Sequence, residues 1–214
     1  DRLRAVVDAT NALEPDLIVL LGDYVINGVV GGTIIPIGPI AEELRRLQAP
    51  LGTVAILGNH DWWTDGPAIV AALEGAGITV LENRALRLER PGGAVWLAGI
   101  ADDTTRAPDV PGTLAQVTDA GPVIVLAHDP ASFADVPARP VVTLSGHTHG
   151  GQIFLPLLGA PMVPGRAPRR WAYGHIVEAG RDLIVSAGIG TSILPIRINM
   201  PPEIVVVEFG PAGR

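Results

Sequence analysis

The chain has 214 residues, of which 48% are apolar and 17% charged, with a formal net charge of -7. That composition at this length describes one packed domain over residues 1–214 and excludes a disordered chain. All 15 basic residues are arginine and cysteine is absent, which removes P-loop and Schiff-base lysines, thiolate nucleophiles, thiolate metal sites and disulfides. The arginines are scattered along an acidic chain, so nucleic acid is not an expected partner.

Leu3, Val6, Val7 and Leu13 recur at roughly helical spacing, and Glu14-Pro15-Asp16 then breaks the pattern before the apolar run 17–21. The order helix, turn, buried strand repeats. Residues 40–48 and 67–75 read as helices, and 53–57, 78–81 and 94–100 as strands, the last entered through Pro91-Gly92-Gly93. Further strands are expected at 123–127, 141–144, 183–187 and 204–209, with 155–170 a long surface loop rich in Pro, Gly and Arg. Helices alternating with continuous apolar strands predict an α/β domain whose sheet faces are covered. Gly and Pro interrupt every long uncharged stretch, so no run reads as a transmembrane helix.

Four of these strands end in oxygen or nitrogen donors: Gly22-Asp23, Gly58-Asn59-His60-Asp61, His128-Asp129 and Gly146-His147-Thr148-His149. Strand carboxyl ends are where open α/β sheets bind ligands, so residues far apart in sequence can converge there. Alone, Gly22-Asp23 is an ordinary capped turn and His128 an ordinary core imidazole. His147 and His149 fall on one side only if their segment is extended. It is the joint occurrence, in this order, that indicates a metal centre. Carboxylate, carboxamide and imidazole without sulfur suit Mn, Fe or Zn. The glycines are expected to permit tight turns at these junctions. His175 stands apart as structural or surface.

These four motifs resemble the successive signatures of calcineurin-like metallophosphoesterases. The resemblance implies a four-layer α/β/β/α sandwich with two mixed sheets and a centre for two divalent ions, at which a metal-activated hydroxide hydrolyses a phosphodiester or pyrophosphate. It implies that Asp23 bridges both ions, that Asn59, His128 and His147 complete one site, and that His149 contributes to the other. His60 would face the phosphate, with Asp61 orienting its imidazole. The family pattern opens with Asp-x-His on a first strand, and residues 1–22 contain no histidine. The expectation is therefore a preceding segment that carries that strand and two ligands; the alternative is a natural single-metal or inactive variant. Gly146-His147-Thr148-His149-Gly150-Gly151-Gln152 and Pro195-Ile196-Arg197 are similar to the bacterial, often membrane-associated branch, which includes lipid-related pyrophosphatases such as UDP-2,3-diacylglucosamine hydrolases.

That branch implies a phosphoester substrate that is lipid-linked, peripheral membrane association, and a cytoplasmic or membrane-associated location. The stretches 29–40 and 153–163, with Trp62-Trp63, read either as ordinary core and loop packing or as an apolar rim beside the site, and Arg166, Arg169 and Arg170 either as a solvated loop or as groups that meet anionic headgroups or substrate. A binding module that has lost turnover is the alternative. An amidohydrolase is disfavoured by Asn59 as ligand and by the absence of lysine.

Overall fold

The structure, a computed structural model, describes residues 2–138 and 141–210. Its elements in chain order are α1 (Arg2–Ala12), β1 (Ile18–Leu20), α2 (Ile37–Leu44), β2 (Thr53–Ala55), α3 (Asn59–Gly75), β3 (Thr79–Val80), β4 (Arg84–Leu88) and β5 (Val95–Gly99). There follow α4 (Val110–Leu114), β6 (Val123–Ala127), β7 (Val141–Ser145), β8 (Gly174–Glu178) and β9 (Arg181–Val185). Short 3₁₀ turns lie at Pro130–Asp135, His149–Gly151 and Arg169–Trp171.

The strands make two sheets, one in the order β1-β2-β3 and one in the order β4-β5-β6-β7-β9-β8. The smaller is parallel throughout, so among the described strands only the larger is mixed. Alternation along each strand sorts side chains to opposite faces. On β2 and the residues after it, Ala55 and Leu57 face a core shared with Val7, Leu44, Ile69 and Leu73 of α1 to α3. Val54 and Ile56 instead join Leu97, Ile124, Leu126 and Leu144 of the larger sheet. Beyond that sheet, Trp96, Ala98 and Val125 pack with Val110, Leu114, Phe133 and Trp171. Three apolar interfaces thus separate four layers, α/β/β/α, and both faces of the central strands are buried, which is why those strands read as unbroken apolar runs.

Several elements depart from expectation. β4, α4 and β8 carry alternating or short patterns that give little periodic signal. α3 begins at Asn59 and not at Pro67, because the polar run after Gly58 is itself a first helical stretch. That stretch stops at Asp65 (φ -165°, ψ 80°), since Pro67 has no N–H to donate back to residue 63. The Asp65 carboxylate then accepts from the N–H of Ala68 at 3.1 Å and restarts the helix. Residues 204–209 are not a strand: among the described residues they form no backbone hydrogen bond to a neighbour, and β1 remains an edge. A groove of about 280 Å³, lined by Val6 and Ala9 of α1 and by Ile204, runs beside this segment, and Val207 packs partly on the inter-sheet core.

Leu97 is fully buried between the sheets. Leu97→Ala is expected to lower the unfolding free energy by about 2–5 kcal/mol, read from the midpoint of urea denaturation.

Candidate metal centre

The carboxyl ends of β1, β2, β6 and β7 meet at one edge of the two-sheet stack. Asp23 follows β1, Asn59 follows β2, His128 follows β6 and His147 follows β7. His128 Nε2 lies 3.1 Å from Asp23 Oδ2 and 3.0 Å from His147 Nδ1. The Nδ1–H of His128 donates to the carbonyl of Leu21 at 2.6 Å, which fixes the tautomer and leaves the Nε2 lone pair toward the carboxylate and the second imidazole. Asp23, His128 and His147 offer ligand atoms all within 4.8 Å of one another.

As bare lone pairs these three would repel, and a cation or a proton among them relieves that repulsion. Two ligands at right angles, each about 2.1 Å from one ion, would be about 3 Å apart, which matches the observed spacing. The buried Oδ1 of Asn59 has no hydrogen-bond partner, as a carboxamide oxygen kept for a cation would not. Gly58 leaves room for the cluster, since a Cβ there would collide with Asp23 Oδ1 and the His128 ring. This donor set fits a divalent transition metal.

Without an ion, a proton takes the place between Asp23 and His128. Burial opposes charge on His128, but the adjacent Asp23 carboxylate outweighs it and raises the imidazole to about 9. Burial likewise works against the Asp23 carboxylate, yet the charge and hydrogen bond of His128 hold it at about 2. His147 is pushed down by burial and by the neighbouring His128 charge.

Asp61 does not orient the His60 ring. Fully buried, its carboxylate accepts four backbone N–H bonds: from Gly58 at 2.9 Å, Asp23 at 2.7 Å, Tyr24 at 2.8 Å and Val25 at 3.2 Å. Placed in the first turn of α3, it draws the loop after β1 onto the helix and so holds Asp23 in place. The His60 ring is held instead by Asn27, whose Oδ1 lies 3.0 Å from Nδ1, and by edge contact with Trp63 at 5.0 Å. The backbone N–H of His60 donates to Asp23 Oδ1 at 3.0 Å.

His149 falls outside the three-residue cluster. The segment is not extended: His147 (φ 63°) and His149 (φ 53°) both adopt the left-handed conformation, as does Asp23 (φ 59°). The segment therefore offers no extended face on which both rings would lie side by side, and His149 Nδ1 faces the Arg197 guanidinium at 3.4 Å. Burial, then the Arg197 charge, lowers His149 to about 4, so it presents a neutral imidazole. Of the three junction glycines, only Gly22 (φ 95°) needs a left-handed turn; Gly58 and Gly146 do not. His175 pairs with Asp182 at 2.7 Å on the exposed β8–β9 hairpin, away from these residues.

Three supporting residues had weak signals in sequence. Asp129 stood beside His128; its carboxylate accepts from the Arg166 N–H at 2.8 Å and lies 3.8 Å from His147 Nε2. Gly165 lies directly over that pair, where a Cβ would be 2.7 Å from the His147 ring. Asp102 follows β5 as candidate ligands follow the other strands; it is buried, Oδ2 accepts from Thr105, and Oδ1 has no partner among the described residues.

A family model described as calcineurin-like phosphoesterase matches residues 1–151. The chain belongs to this family of metal-dependent phosphoester hydrolases. Over 210 residues it is 35% identical to the metallophosphoesterase YkuE of Bacillus subtilis, covering 95% of this chain and 71% of that one. Phosphodiesterase YaeI of Escherichia coli is 32% identical over 201 residues, covering 92% and 71%. A metallophosphoesterase of Aquifex aeolicus is 29% identical over 223 residues, covering 100% and 80%. No solved structure matches the chain.

Asp61→Asn is expected to lose about 2 kcal/mol of stability and to weaken metal binding, because an NH₂ replaces one acceptor facing buried N–H groups. A role confined to His60 would leave metal affinity, read by titration calorimetry, unchanged. Since His128 is protonated at pH 7 in the metal-free state, metal loading at that pH is expected to release about one proton per ion. Calorimetry in buffers of different ionisation enthalpy measures it; release should fall as the starting pH rises through about 9.

Proposed function

We propose that this chain hydrolyses a phosphodiester or a pyrophosphate at a centre for two divalent ions, Mn, Fe or Zn. The observation that supports the reading best is the convergence of Asp23, His128 and His147 with the unpartnered Asn59 oxygen. In this reading Asp23, Asn59, His128 and His147 hold one ion and His149 serves a second. Bound, such ions supply Lewis acidity toward phosphoryl oxygens and a water activated near neutral pH.

The residues of the chain then carry the remaining steps. Asn27 accepts Nδ1–H of His60, so a protonated His60 has its other proton, on Nε2, free for transfer. As water adds to phosphorus and the ester P–O bond breaks, that proton passes to the departing oxygen. Asp61 acts earlier, by keeping Asp23 and the start of α3 in register.

A second reading, a module that binds metal without turnover, is favoured by the position of His149 against Arg197 and outside the cluster. Hydrolysis of bis(p-nitrophenyl) phosphate with added manganese separates the two. Turnover is expected, and His60→Gln should lower kcat by about 10²–10⁴-fold with metal content unchanged. Metal bound with no turnover of this diester or of a pyrophosphate would select the binding module.

A further inference from the structure

The two tryptophans that follow His60-Asp61 are put to different uses. Trp62 is spent on packing: its ring lies against Gly66, where a Cβ would collide with it, and the Arg106 guanidinium lies over it at 4.3 Å from the ring centroid. Glu82 fixes that arginine at 2.6 Å. Trp96 and Trp171 are buried, and each donates its indole N–H at 2.9 Å to a carboxylate, of Asp119 and of Glu178. Trp63 differs from all three. It is 56% exposed, and the ring that meets it is His60, at 5.0 Å between centroids with the planes at 75°.

Trp63 stands one helical turn after His60 at the start of α3, so the two side chains share a face. An edge contact occupies at most one face of the indole, and the other stays open beside the imidazole. Asn27 holds His60 by Nδ1, so the Nε2 edge points away from Asn27. In the hydrolytic reading that edge gives its proton to the departing oxygen. The group carried by that oxygen then lies within a few ångströms of the imidazole, and the indole is the apolar surface next to it. The surroundings of Trp63 narrow the chemistry of that group. Thr64 and Asp65 are exposed polar neighbours, and Asn27 Nδ2 reaches Thr64 Oγ1 at 3.5 Å. A single indole set among polar groups gives an acyl chain no continuous apolar track, whereas a flat ring needs only one matching face.

We propose that Trp63 is a specificity-determining residue, which stacks an aromatic ring on the departing side of the ester, so that the favoured substrate carries an aryl group or a nucleobase there. Stacking on an indole adds to area burial and accepts any π face, which makes it selective for ring type but tolerant of ring identity. The inference rests on the hydrolytic reading for the position of the phosphate, and extends it from the bond that breaks to the group that leaves.

The test is calorimetric binding of benzylphosphonate and of cyclohexylmethylphosphonate to the manganese-loaded chain. Both carry a methylene where the departing oxygen would be, so neither is cleaved there, and they differ in setting a flat π ring against a saturated ring of similar size. Benzylphosphonate is expected to bind roughly fivefold tighter. Trp63→Ala should bring the ratio to about one, and Trp63→Phe should restore most of it. The side chain lies outside the core, so the melting midpoint of both variants should match wild type. A role confined to holding His60 would change the two affinities alike and keep their ratio, which would overturn the proposal. Equal affinities in wild type, or no binding of either ligand, would overturn it as well. Turnover of bis(p-nitrophenyl) phosphate judges the hydrolytic reading separately: the expected ratio without turnover would fail that reading alone, and turnover without the ratio would fail this inference alone.

Discussion

The site depends first on the Asp61 carboxylate. Four N–H groups from two separate segments point at it, those of Gly58 on one side and of Asp23, Tyr24 and Val25 on the other. Each would be an orphan donor in a buried position without it. Through this one side chain the end of β1 is fastened to the start of α3, and Asp23 is held in a left-handed conformation that an aspartate alone rarely keeps. Burial, reinforced by the Asp23 charge, lifts Asp61 to about 6, so the acceptor that organises the loop is itself sensitive to what lies beside it.

From that anchor the centre is built across both sheets. Asp23 belongs to the smaller sheet and His128 and His147 to the larger, with the inter-sheet core of Ile56, Leu97 and Leu126 setting their separation. The outer shell follows the same logic. Leu21 fixes His128, Asn27 fixes His60, Arg197 faces His149, and Asp129 with Gly165 closes over His147. Such partners set ring orientation and tautomer, which ligand identity alone leaves open.

Much of this was legible in the sequence, for a physical reason. Strands buried on both faces write themselves as apolar runs, and polar residues directly after such runs must find partners, so the strand ends at 21–23, 57–61, 127–129 and 145–149 stood out. β4 and β8 did not, because half-exposed strands resemble loops in composition. The segment 204–209 misled in the opposite way, since apolar alternation predicts a strand but cannot supply the neighbour that makes one. Asp61 and His149 show a second limit. Residue type and spacing named them, but the direction of a side chain rests on backbone dihedrals and on partners such as Asn27 and Arg197, far away in the chain.

The hydrogen bond from His128 to Leu21 O joins the larger sheet to the smaller, and the adjacent pair with Asp23 does so again. The cluster of Asp23, His128 and His147 is therefore a rivet through the sandwich as well as a candidate metal site. Any sliding of one sheet over the other would open the spacing between carboxylate and imidazoles, so the rigidity of a distant apolar layer becomes part of the tolerance to which the ion is held. Substitutions among Ile56, Leu97 and Leu126 would then register in the geometry of the cluster as well as in stability.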